Sequence, residues 1–71
     1  MKLHYYADTD SLYIELSERP GADSREVVEG VVLDLDATGV VVGIDIDHAS
    51  AHLDLASLDV TGLPAARVHV A

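Results

Sequence analysis

Seventy-one residues, thirteen acidic against four basic side chains, no cysteine and a formal charge of -9 describe one small acidic domain. That charge repels phosphate backbones and anionic lipid surfaces, which argues against nucleic-acid and membrane partners, and no stretch approaches the ~18 apolar residues of a membrane span. Without cysteine there are neither disulfides nor thiolate metal sites, which fits a reducing, cytoplasmic setting.

Met1-Lys2-Leu3-His4-Tyr5 lacks the apolar run of a signal peptide. Apolar residues then alternate through Lys2 to Tyr6 and Ser11 to Ser17, the period of two that marks half-buried strands. Between them Ala7-Asp8-Thr9-Asp10 supplies side chains that bond nearby amides and favour a four-residue loop. That loop sets Tyr6 against Ser11, Tyr5 against Leu12, Leu3 against Ile14 and Lys2 against Glu15, so apolar meets apolar and the one charge pair attracts.

Glu18 to Asp23 carries the Pro20-Gly21 punctuation of a surface loop, and Ser24 to Glu29 resumes strand character. Glu29 has the parity of Val31, so a bulge at Gly30 within one long bent strand is expected to reset the pleat. The second hairpin joins Val31–Leu35 to Val40–Ile46 across Asp36-Ala37-Thr38-Gly39, where glycine takes a left-handed backbone cheaply. A three-residue loop mixes the faces, whereas a four-residue loop pairs Leu35 with Val40, Leu33 with Val42 and Val31 with Ile44, and is therefore expected. The opposite face, with Val32, Asp34, Val41, Gly43 and Asp45, is too apolar to be wholly wet and too acidic to be wholly core, which implies partial cover.

After Ile46 the alternation fades. Asp47-His48-Ala49-Ser50 can cap a helix, and Ala51, Leu55 and Leu58 fall at helical spacing, so a short helix over about Ala49 to Leu58 is expected to cover one sheet face. Gly62-Leu63-Pro64 ends regular structure, and Arg67-Val68-His69-Val70 alternates like an edge strand or a segment lying on a partner. The expected fold is therefore α+β, mostly β: an antiparallel sheet of two β-hairpins, about four to five strands, with a short C-terminal helix. Residues 1–52 form its core and 53–71 an extension of the same single domain.

Tyr5, Asp10, Leu12-Tyr13-Ile14, Glu26-Val27, Gly30-Val31, Asp34-Leu35-Asp36, Gly39, Val42-Gly43-Ile44-Asp45-Ile46 and Ala49-Ser50 together resemble an uncharacterised microbial family, domain of unknown function 2283. Its members read Y-D-x-x-x-D-x-L-Y-I, then D-x-D-x-x-G, then V-G-I-E-I-x-x-A-S. The resemblance spans residues 1 to about 52 and implies a fold; the family carries no activity, substrate or catalytic residue to transfer. This chain departs from it at Tyr6, where Asp is usual, and at Asp45, where Glu is usual.

Two groups of residues offer metal chemistry. His48 and His52, at i and i+4, would share one side of a helix near Asp45, Asp47 and Asp54, and imidazole with carboxylate suits zinc, nickel or manganese. The H-E-x-x-H form with its glutamate base is missing. Asp8, Asp10, Asp34 and Asp36 offer oxygen ligands of the kind calcium or magnesium takes, without calcium-loop spacing; aspartates in turns mostly cap their own backbone. No serine sits in a Gly-x-Ser-x-Gly elbow and no glycine run forms a phosphate or dinucleotide loop, so neither a catalytic residue nor a cofactor is expected. Tyr5, Tyr6 and Tyr13 gather on one hairpin, as an interface anchor or as packing beneath the helix.

A core this small buries only about 60% of the unfolded chain's surface. The expected function is that of a small noncatalytic oligomerising or protein-interaction module, a dimer first of all. Its acidity suits a basic protein partner, as in an antitoxin that neutralises one. The alternative is a metal-binding protein using His48, His52 and their aspartates.

Overall fold

The computed structural model of the chain describes residues 1–64 and 67–71. Five strands, β1 (Lys2–Tyr6), β2 (Ser11–Glu15), β3 (Asp23–Val28), β4 (Val31–Leu35) and β5 (Val41–Ile46), precede one turn of helix, α1 (Ala49–His52). All five lie in one antiparallel sheet in the order β1-β2-β5-β4-β3, so β1 and β3 are its edges.

The first hairpin has the register that apolar pairing requires: Lys2 faces Glu15, Leu3 Ile14, Tyr5 Leu12 and Tyr6 Ser11. Its expected charge pair forms, with Lys2 Nζ 3.8 Å from Glu15 Oε2. The four-residue loop closes with Thr9 N–H donating to Tyr6 O at 3.3 Å.

The second hairpin corrects the expected register. Asp36 N–H donates to Val40 O at 2.8 Å and Gly39, at φ 86°, donates to Asp36 O at 3.0 Å, which makes a three-residue loop. Leu35 faces Val41 and Asp34 faces Gly43, so Val42 is an extra residue on β5, a bulge. The shorter loop and the bulge each slide the pairing by one residue. Together they slide it by two, which keeps Val31 to Asp34 and Gly43 to Ile46 on their expected faces while moving Leu33 opposite Ile44 and Val31 opposite Ile46; Val41, expected on the opposite face, instead pairs with Leu35. Since Ile44 also faces Ile14 and Ile46 faces Leu12, two aliphatic rows cross the sheet unbroken: Leu3-Ile14-Ile44-Leu33 and Tyr5-Leu12-Ile46-Val31.

A second correction concerns Gly30. There is no long bent strand: Gly30, at φ 83°, sits in the tight turn between β3 and β4, with Val28 facing Val31 and the irregularity falling between Glu26 and Val28. The left-handed backbone that glycine alone adopts cheaply reverses the chain instead of kinking it. Asp47 N–H then donates to Gly30 O at 2.8 Å, tying the turn to the end of β5.

The helix is shorter than its spacing suggests. Leu53 is extended (φ -124°, ψ 149°), and Asp54 accepts from Ala56 N–H at 3.1 Å and from the Ser57 hydroxyl at 3.2 Å. A carboxylate organising its own following amides competes with helix propagation, and Leu55 and Leu58 remain exposed, so no apolar face is buried to reward more turns. Residues 67–71 form no strand, with Val68 and Val70 also exposed.

One layer results. Among the described residues, only Leu12, Val42 and Ala49 are buried apolar side chains, and no large side chain is fully enclosed. The molecule measures 31 × 30 × 19 Å with a radius of gyration of 13.1 Å, against about 11 Å for a compact chain of this length.

Candidate functional site

Three clusters of polar side chains are tied by hydrogen bonds at the sheet and its turns. At the first, Asp10 holds a left-handed backbone at φ 51°. Its carboxylate accepts from the Tyr5 hydroxyl at 2.8 Å, the Ser50 hydroxyl at 2.7 Å and the Ser50 N–H at 3.1 Å, while its carbonyl accepts from Ala49 N–H at 2.9 Å. Asp10 therefore caps α1 from the β1–β2 turn, beside the end of β5, a role the sequence assigned to residues 47–50; no local side chain caps the helix. The Ser50 hydroxyl, then Tyr5, hold the Asp10 carboxyl below its ordinary value, and the same bond raises the Tyr5 phenol.

The second cluster lies on the face opposite the aliphatic rows. Tyr13 faces Asp45 on β5, and its hydroxyl donates to Asp34 Oδ2 on β4 at 2.8 Å, so the ring crosses the intervening strand at Gly43. A Cβ there would collide with the Tyr13 ring and hydroxyl. The bond to Asp34 raises the Tyr13 phenol. Beside it, Asp45 is raised by burial first and then by the charges of Asp47 and Asp34. This outer face is acidic, with Glu15, Asp34, Asp45 and Glu26 at its register positions. Tyr13 packs across glycine here, not beneath a helix, and the one-turn α1 leaves this face without the expected cover.

The third cluster is the β4–β5 turn. Asp36 accepts from Thr38 N–H at 2.9 Å, the Thr38 hydroxyl at 2.7 Å and Val40 N–H at 3.0 Å, and pairs with Arg19 at 3.1 Å. Thr38 first, then Val40, hold its carboxyl down. Asp10, Asp34 and Asp36, read from sequence as one oxygen-ligand set, thus serve three separate places.

His48 and His52 do not project side by side from a helix. His48 precedes α1 with a left-handed backbone (φ 52°), and His52 ends it. Both nevertheless border one open depression of about 430 Å³, with Asp47, Glu26, Glu29 and Gly30. Glu26 and Glu29 were missed as its neighbours because the β3–β4 turn that brings them there was read as a bent strand. Asp45 lies outside the depression, on β5 against Tyr13 and Val32. Among the described residues, no three His, Cys, Asp or Glu side chains gather closely enough to hold a metal ion.

Fold and clusters together define a small protein built on one open antiparallel sheet, with an aliphatic face, an acidic face and a Tyr-Asp-Ser clasp at the helix. The family model for proteins of unknown function, DUF2283, matches residues 2–50, and the chain belongs to this family. The match ends at Ser50, the residue that closes the clasp on Asp10. No curated protein and no solved structure matches the chain significantly. No helix among the described residues is long and apolar enough to cross a membrane.

Proposed function

We propose that this chain is a noncatalytic interaction module that self-associates, and that association completes its fold. The observation that carries this reading is its surface. A compact monomer of 7.5 kDa exposes about 4,200 Å², whereas this chain exposes 5663 Å², an excess of roughly 1,400 Å² over that scale. A single sheet is stable in water when a second layer covers its apolar face; here α1 is one turn long and residues 54–64 are exposed. Sedimentation velocity at low micromolar concentration is expected to give an oligomer, and a folded 7.5 kDa species there would end the proposal.

The acidic face supports a second role for the assembled module, binding a basic protein in the manner of a neutralising antitoxin. Asp45 is destabilised as a carboxylate by burial first and then by Asp47 and Asp34, and a cationic partner relieves the repulsive part. Capture from native lysate that returns no basic partner would count against this role. The alternative of a metal protein is tested by calorimetric titration with zinc, nickel and manganese: heat lost in His48→Ala/His52→Ala supports it, and no heat ends it.

A further inference from the structure

We infer that the occupant of the aliphatic face is a second copy of this chain, packed face to face as a two-sheet sandwich. The inference rests on the self-association proposed above and specifies its geometry.

Three observations select this arrangement. First, the two aliphatic rows place no charged residue on β2, β5 or β4, and the charges of that face lie on the edge strand β3, Arg25 opposite Leu33 and Asp23 opposite Leu35. Two copies of a chain with charge -9 meet there with one carboxylate and one guanidinium each at the rim, whereas the other face would bring Glu15, Asp34 and Asp45 of each copy together. Second, the edges are guarded. Strand β3 carries Asp23, Arg25 and Glu26, and β1 carries Lys2, the charges that discourage edge-to-edge pairing. Third, a stable interface removes about 800 Å² from each partner, less than the surplus surface that this face and the exposed residues 54–64 and 67–71 share. Identical sheets share one twist and pack aligned, ~10 Å apart, so an isologous pair closes the layer that one copy lacks.

The chain has no cysteine, so single nitroxide labels can be placed at will. His4 and Ser24 are exposed, on opposite edges of the sheet and on its acidic face. Label His4→Cys and Ser24→Cys in separate samples and measure the distance between copies by pulsed electron resonance. In the sandwich both distances fall below about 30 Å, given ~10 Å between sheets and ~4.8 Å between strands. In a continuous ten-stranded sheet one is short and the other is roughly 40 Å, across nine strand spacings. A third label at Leu3→Cys, on the aliphatic face, is expected to be immobilised while that at His4→Cys stays mobile. One distance near 40 Å, or the reverse mobility, would overturn the sandwich while leaving self-association standing. A monomer with no intermolecular distance would overturn both.

Discussion

Gly43→Ala is the substitution for which local rules and this fold predict opposite signs. Glycine within a strand costs about 0.5–1 kcal/mol relative to alanine, so β-propensity alone predicts a more stable protein. The structure predicts the reverse, because the added Cβ occupies the space of the Tyr13 ring and hydroxyl. Tyr13 must swing away and lose its 2.8 Å hydrogen bond to Asp34. A hydrogen bond to a charged group contributes about 1.5–3 kcal/mol; after the propensity gain, the net loss is about 1–2 kcal/mol. In a domain of this size that lowers Tm by about 5–15 °C. Thermal melts followed by circular dichroism at one fixed concentration supply the measurement. In a Tyr13→Ala background the collision is gone, so Gly43→Ala is expected to be neutral or stabilising, a coupling a double-mutant cycle reads directly. A Gly43→Ala protein that melts at or above the parent temperature would refute the crossing of Tyr13 over β5.

Four further outcomes follow from the polar clusters and the tail. Ser50→Ala removes the largest influence holding the Asp10 carboxyl down, so the Asp10 titration, followed by carboxyl NMR, moves up toward the ordinary 3.8; an unmoved titration contradicts the clasp. Because the folded Asp10 and Asp36 values are depressed, the stability they confer is present above 3.8 and is lost as pH falls through their lower folded values. The raised Asp45 has the opposite sign: the folded state favours its protonated form, so Asp45→Asn is expected to stabilise at pH 7 and to lose that advantage as pH falls below 3.8. Equal melting temperatures for Asp45→Asn and parent at pH 7 would contradict this. Finally, no described backbone hydrogen bond ties residues 54–64 or 67–71 to the sheet, so a chain ending at Leu53 is expected to keep its far-ultraviolet β spectrum, and a coil spectrum would refute that.

The first hairpin was legible pair by pair because a one-residue slip there sets Leu against His and Tyr against polar residues, leaving one answer. The second hairpin was legible in its faces but not in its pairing. A shorter loop plus a bulge at Val42 shifts β5 by two residues, and a pattern of period two is blind to a slip of two. Gly30 was ambiguous for a related reason, since a bulge and a turn both use a left-handed glycine. The helix misled because Ala51, Leu55 and Leu58 have helical spacing, yet Asp54 turns the chain on itself and nothing lies beneath those leucines. Of the candidate site, Asp47, His48 and His52 come together as their proximity in sequence implies. The link from Asp10 to Ser50 depends on a sheet order that brings residues forty apart into contact, which no local pattern contains.

Folding that is inseparable from association makes melting depend on protein concentration. Thermal melts over a hundredfold dilution series are expected to show Tm falling steadily with dilution. A Tm independent of concentration, in a species of 7.5 kDa, would mean that the single sheet is complete without a partner.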